Sequence, residues 1–213
     1  MGNLIKHICF KNKVDLLSNI KRKSNYLFDL ESKDIDGNSV KLKQFTDNKK
    51  AIIFVNVACN CGYTNINYIQ LVELFKRYSN KGLQILAFPC NQFLNQENKI
   101  EKEIKKYITD NFKVNFPVFS KIKVNGPNTD PIYVYLKSNT KEFVKHKEIK
   151  SSKINKEINA NQNYLKSVYG IINIPWNFSK FLVDSKGSVV SYLSPDSPPF
   201  CMINQIEKLI NCN

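Results

Sequence analysis

Two cysteines one residue apart, Cys59 and Cys61, follow the apolar run Ala51-Ile52-Ile53-Phe54-Val55-Asn56-Val57-Ala58 and precede Gly62-Tyr63-Thr64. The run suits a strand buried on both faces, and Thr64 is placed to cap a helix over about 65–79. A thiol in that turn sits at the positive end of the helix dipole, which favours the nucleophilic thiolate. Gly62 is expected to supply the sharp turn. Free cysteines are often no more than small buried apolar residues, so the neighbours must decide. A second segment, Ala87-Phe88-Pro89-Cys90-Asn91-Gln92-Phe93, ends another buried-type run that starts at Leu83. If the two strands are parallel, their C-terminal ends open on one sheet edge and Gln92 approaches Cys61. The third segment, Trp176-Asn177-Phe178, lies just before a strand starting near Phe181. An indole N–H and two amides donate hydrogen bonds without competing for a proton. Gathered round a sulfur, they would stabilise a thiolate and the oxygen that leaves as an O–O bond breaks. That is thiol-peroxidase chemistry.

The elements that must position these residues follow from periodicity. Tyr26 to Glu31 and Ser39 to Leu42 flank Asp36-Gly37 and predict an N-terminal β-hairpin. Tyr68, Leu71, Val72 and Phe75 place one apolar stripe on the helix after Cys61, and Ile100, Ile104, Ile108 and Phe112 another. Asn98 with Glu101 reads as the cap of that second helix. Pro117 to Phe119 reads as a short extended piece, and Pro131 opens a helix toward Ser138. Phe181–Asp184 and Val189–Leu193 bracket Lys186-Gly187 as a second hairpin, followed by a helix over about 201–211. Strands alternating with helices predict an α/β three-layer sandwich with flanking helices. Residues 1–24 read as a basic extension, 25–213 as one domain, and 137–170, rich in Lys, Asn and Ser, as a surface insertion.

Composition excludes other classes. The 213 residues carry a formal net charge of +14, which invites a nucleic-acid partner. The 30 lysines are spread along the whole chain among 28 asparagines, with Arg22 and Arg77 the only arginines, so no phosphate- or base-reading cluster is expected. No apolar run approaches ~20 residues, and no signal-peptide stretch opens the chain, so a cytoplasmic location is expected. Met1-Gly2-Asn3 resembles an acylation signal but has Lys6 where Ser or Thr belongs, which leaves Gly2 and Cys9 as candidate lipid sites and a membrane surface as a candidate partner. The six cysteines contain no Cys-x-x-Cys pair and the two histidines no ligand spacing, so neither a disulfide scaffold nor a metal is expected.

The blocks Asn56–Thr64, Phe88–Phe93 with Gln96-Glu97, and Trp176–Asp184 resemble the signature segments of the glutathione peroxidase family. Asp34-Ile35-Asp36-Gly37 and Val124-Asn125-Gly126 match it as well, and the resemblance runs from about residue 25 to the C-terminus. It implies a thioredoxin-like fold and a catalytic tetrad of Cys61, Gln92, Trp176 and Asn177, with Cys61 attacking the peroxide. It also implies reduction of hydrogen peroxide and of organic or lipid hydroperoxides through a sulfenic acid. Glutathione or thioredoxin would be the reducing co-substrate, with no bound cofactor. The alternative is a redox sensor that relays oxidation to a partner protein. Cysteine stands at the reactive position, as in plant, fungal and protist members. Cys59 replaces a usual serine, Thr109 stands about where thioredoxin-dependent members carry a resolving cysteine, and Ile66 stands where a glutathione-binding arginine is expected. The candidate resolving thiols are therefore Cys59, Cys90 and Cys201.

Overall fold

The computed structural model describes residues 26–140 and 173–212. The expected extension over 1–24 and nearly all of the 137–170 insertion lie outside the described residues. Its first residues, Lys137 to Asn139, are the last residues of a helix, so the insertion begins later than composition suggested.

Tyr26–Asp29 forms a helical turn, α1, where residue types and the Asp36-Gly37 turn suggest a strand. Leu27 and Phe28 are adjacent and both buried, which a hairpin strand with one face in solvent, like β1 and β2, does not permit. β1 (Glu31–Lys33) and β2 (Ser39–Lys41) pair antiparallel as the expected hairpin. Its turn is closed by the Asp34 carboxylate, which accepts the N–H groups of Asp36 and Asn38. A short α2 (Lys43–Thr46) leads into the central sheet.

Four strands make that sheet: β3 (Ala51–Val57), β4 (Leu83–Pro89), β5 (Lys180–Asp184) and β6 (Val189–Leu193), in the order β4-β3-β5-β6. β3 and β4 are parallel, with Ala51 opposite Leu83 and Val57 opposite Pro89. β5 runs antiparallel to β3, and β6 antiparallel to β5. Every residue of β3 and β4 is buried, as apolar runs covered on both faces require.

The helices are α3 (Thr64–Tyr78), α4 (Glu101–Phe112), α5 (Pro131–Asn139) and α6 (Ile203–Asn211), the last preceded by a 3₁₀ turn at Pro199–Met202. Alternation along β3 divides the core in two. Ala51, Ile53, Val55 and Val57 pack with Tyr68, Leu71 and Leu74 of α3, Ile104 and Ile108 of α4, and Ile206 of α6. Ile52 and Phe54 pack with Leu27 and Phe28 of α1 and with Ile132, Tyr133 and Leu136 of α5. This is the three-layer α/β sandwich expected, with a mixed sheet at its centre. The α4 cap lies two residues beyond Asn98: the N-cap is Ile100, whose N–H is accepted by Glu103 at 3.3 Å. The Glu103 carboxylate reaches the cap from inside the first turn, a task that a side chain at Asn98 does not serve.

Candidate active site

Topology places the three segments at one sheet edge. Parallel β3 and β4 end together, so Cys59–Thr64 and Cys90–Gln92 both leave the sheet there. Antiparallel β5 begins where β3 ends, with Lys180 opposite Val55, so Trp176–Ser179 arrives at the same edge.

Cys61 is buried to 7% exposure, three residues before α3. Its Sγ accepts the Tyr63 N–H at 3.5 Å, at the helix end where free N–H groups favour negative charge. Thr64 has a different task from the one expected. Tyr63 occupies the N-cap, while the Thr64 hydroxyl donates to the Ala58 carbonyl (2.8 Å) and accepts the Cys61 N–H (3.1 Å). Thr64 thereby braces the cysteine loop from within the helix. Gly62 is not in the left-handed region, and a Cβ there would meet nothing within 4 Å. The turn does not require glycine.

The loop after β4 folds back onto the cysteine loop. Leu94 and Asn95 both adopt the left-handed conformation, φ 50° and 52°. That reversal returns Gln96 and Glu97 to the site: the Gln96 carbonyl accepts the Asn60 N–H (3.0 Å), and the Glu97 carboxylate accepts the Cys59 N–H (2.8 Å). Glu97 is fully buried, and burial raises its pKa against the lowering effect of Cys59. Gln96 Oε1 accepts from Asn177 Nδ2 at 2.9 Å. The Asn177 Oδ1 is buried with no hydrogen-bond partner among the described residues.

Gln92 and Trp176 come to the edge without a hydrogen bond to Cys61 among the described residues. Gln92 is exposed, and its amide pairs with the backbone of Val124 and Asn125. The half-buried Trp176 ring packs on Phe93 at 5.6 Å and touches both halves of the core.

Asn56 escaped the sequence reading, although a lone polar side chain in an otherwise apolar strand was a visible signal. Its Nδ2 donates to the Trp176 carbonyl (3.1 Å), its Oδ1 accepts the Ser179 N–H (3.1 Å), and its carbonyl accepts the Phe178 N–H (2.6 Å). Phe178 is held there at φ 64°, a conformation that costs a bulky residue about 1–3 kcal/mol.

The candidate resolving thiols differ in access. Cys59 is buried beside Glu97, and burial together with that carboxylate pushes its pKa up strongly. Cys90 is fully buried, its Sγ donates to Gln92 Oε1 at 3.7 Å, and burial raises its pKa to about 11. Cys201 is exposed, but the adjacent Phe200 N–H is anchored on Gln70, about 9 Å along α3 from its first residue at 1.5 Å per residue.

Two lysines near the edge are buried without an ion pair among the described residues. Lys180 Nζ donates to Asn67 Oδ1 and the Ser197 carbonyl, and Lys137 Nζ to the Val124 carbonyl and Asn125 Oδ1. Burial lowers both amines to about 7, with Asp196 and Cys201 opposing the shift at Lys180. The unfolded chain keeps these protons up to about pH 10.4, so between about 7 and 10 it holds more protons than the folded protein and stability rises with pH. Thermal denaturation is expected to show Tm climbing from pH 7 to about pH 8.5, with Lys180→Met flattening the climb; above that the buried Cys59 and Cys90 thiols, which keep protons that the unfolded chain loses, oppose the rise. An equal slope in that variant removes Lys180 from the account.

Among known proteins, the family model described as Glutathione peroxidase matches residues 27–137, a span that includes Cys61 and Gln92. The chain is 43% identical over 182 residues to a putative glutathione peroxidase 7, chloroplastic, of Arabidopsis thaliana, covering 85% of this chain and 66% of that protein. It is 40% identical over 188 residues to a probable phospholipid hydroperoxide glutathione peroxidase of Nicotiana sylvestris, covering 88% and 95% respectively. The chain thus spans just under two thirds of the first of these relatives and nearly all of the second. The crystal structure of Trgpx in apo form superposes with a TM-score of 0.61 at 26% identity, covering 90% of this chain and 97% of that one. The chloroplastic relative gives the cytoplasmic expectation no support.

Proposed function

Because this chain belongs to the glutathione peroxidase family, we propose that it is a thiol peroxidase in which Cys61 is oxidised by hydrogen peroxide and by organic or lipid hydroperoxides. One observation carries the reading: Cys61 Sγ lies at the N-terminal end of α3, facing the Tyr63 N–H, at the edge to which topology also brings Gln92, Trp176 and Asn177. In the oxidative step the Cys61 thiolate attacks one peroxide oxygen. An S–O bond forms, the O–O bond breaks, and the departing alkoxide or hydroxide takes up a proton. The protein is left as the sulfenic acid, with sulfur oxidised and peroxide reduced to alcohol or water. The indole and amide groups serve as donors to the developing negative charge.

The reductive step is the attack of an external thiol, from glutathione or thioredoxin, on the Cys61 sulfenic acid. Water leaves, a mixed disulfide forms, and a second thiol releases Cys61. Burial supports this single-cysteine cycle. Cys59 and Cys90 are both inaccessible and resist deprotonation, and an attacking thiol must be a thiolate in reach of the sulfur. Cysteine mapping by mass spectrometry after one equivalent of peroxide tests it. The expected product is a Cys61 sulfenic acid trapped by dimedone, and turnover is expected when glutathione or thioredoxin is added. A Cys61 bridge to Cys59, Cys90 or Cys201 overturns the single-cysteine cycle. Fast Cys61 oxidation without turnover on either reductant overturns the peroxidase in favour of the sensor.

A further inference from the structure

We propose that Asn125 is a positioning residue for peroxide reduction, setting the polarity of Gln92 and the place of Trp176 through two amide pairings in series. The inference rests on the reading of Gln92 and Trp176 as site residues. In the first pairing the Gln92 side chain meets the Asn125 main chain. Gln92 Oε1 accepts the N–H groups of Asn125 (3.0 Å) and Val124 (2.7 Å), and Gln92 Nε2 donates to the Asn125 carbonyl (3.0 Å). In the second the Asn125 side chain meets the main chain of Ile174: Oδ1 accepts the Ile174 N–H (2.9 Å) and Nδ2 donates to the Ile174 carbonyl (2.8 Å).

The first pairing decides which end of the Gln92 amide faces the site. Oε1 is occupied by two backbone N–H groups, with the Cys90 S–H near it at 3.7 Å. A flipped amide would set its NH₂ against those donors and strand the Asn125 carbonyl, so the flip is disfavoured. Of its two Nε2 protons one is used, and Gln92 therefore has a donor and no acceptor left to offer. A group that stabilises a thiolate or a departing oxyanion must be a donor.

The second pairing reaches Trp176 through a stiff linker. Pro175 locks its own φ and disfavours the helical region for Ile174, whose N–H and C=O both meet the one Asn125 side-chain amide. Placing Ile174 thus places Trp176 two residues on. Asn and Gln carry a neutral donor and acceptor side by side on one planar amide, and an aspartate here would lose the donor to the Ile174 carbonyl. Lys137 completes the arrangement from α5, its buried Nζ donating to the Val124 carbonyl (2.8 Å) and lying 3.4 Å from Asn125 Oδ1. The motif Val124-Asn125-Gly126 is in this way built into the site although none of its residues need touch the peroxide.

The two half-reactions, measured separately by stopped flow, test this. The Asn125→Ala variant is expected to be oxidised by hydrogen peroxide about tenfold to a hundredfold more slowly than the natural protein. Reduction of the oxidised protein by glutathione should stay within about threefold, and the resting Trp176 emission should shift. If Asn125→Ala does not fold, Asn125→Asp replaces it. That variant keeps the acceptor for Ile174 and gains an ion pair with Lys137, and its oxidation should still slow by at least about fivefold. Oxidation within twofold of the natural protein in a folded variant, or equal slowing of both half-reactions, overturns the proposal. Failure of the peroxidase reading shows earlier and separately, as natural protein that does not oxidise at Cys61.

Discussion

Replacing Cys61 by serine is expected to lower peroxide turnover by at least about 10³-fold while leaving the fold intact. A serine hydroxyl at neutral pH is not a nucleophile toward peroxide oxygen, and the other thiols at the edge, Cys59 and Cys90, are buried and resist deprotonation. Among the described residues Sγ makes one long hydrogen bond, to the Tyr63 N–H, so the variant should melt within a few degrees of the natural protein. The comparison that gives the result its force is Cys59→Ser. Its hydroxyl can occupy the place of the thiol beside Glu97, and the Cys59 N–H bond to that carboxylate is unaffected by the change of side chain. Turnover should therefore stay within about twofold, as a change that keeps its hydrogen bonds allows. Steady-state peroxide consumption with saturating reductant measures both. Activity in Cys61→Ser above a tenth of the natural rate removes Cys61 from the chemistry, and collapse in Cys59→Ser makes Cys59 a participant in the cycle.

Asn56→Leu is the second change with a large expected effect, and it acts on the fold and the site together. Leucine has the same branched skeleton with bulkier methyl ends, but it neither donates to the Trp176 carbonyl nor accepts the Ser179 N–H. Ser179 is fully buried, so its amide is left without a partner in a place water does not reach. One orphaned buried amide costs about 1–3 kcal/mol, and the weakened turn that holds Phe178 at positive φ adds to it. The expected loss is about 2–4 kcal/mol, read as a fall in Tm of about 5–15 °C. Because the same turn carries Trp176 and Asn177, turnover measured well below the lowered Tm should fall as well. A folded Asn56→Leu protein with unchanged Tm shows that the two side-chain hydrogen bonds of Asn56 are not what secures the turn. If Tm drops and turnover does not, Trp176 is not held in place by Asn56.

Much of this architecture is legible in the sequence because it is periodic. The all-apolar runs at Ala51–Val57 and Leu83–Pro89 are what a strand covered on both faces demands, and both are wholly buried. The stripes over Tyr68–Phe75 and Ile104–Ile108 place α3 and α4 on one side of the sheet. Parallel pairing of the two buried strands, once formed, obliges the Cys61 and Gln92 segments to share an edge. Local errors came where two local signals competed. Leu27-Phe28 read as strand by residue type and is helical by burial, and Thr64 read as a cap by residue type and is a brace within the first turn.

What no window of the sequence contains is which partner each polar side chain takes. Gln92 was expected to turn to the sulfur, and its amide pairs instead with Asn125, 33 residues on. Asn177 meets Gln96 across 81 residues, and Asn56 meets Trp176 across 120. Burial patterns repeat with the helix or strand period because each residue's face is set by its immediate neighbours along the chain. A hydrogen bond depends on two groups arriving within about 3 Å at a usable angle, and that meeting depends on how separate elements pack. The cysteine at a strand end and its place beside a helix N-terminus could be read from residue types and spacing. The frame of amides that holds the rest of the site in place exists only once the sheet has brought distant loops together.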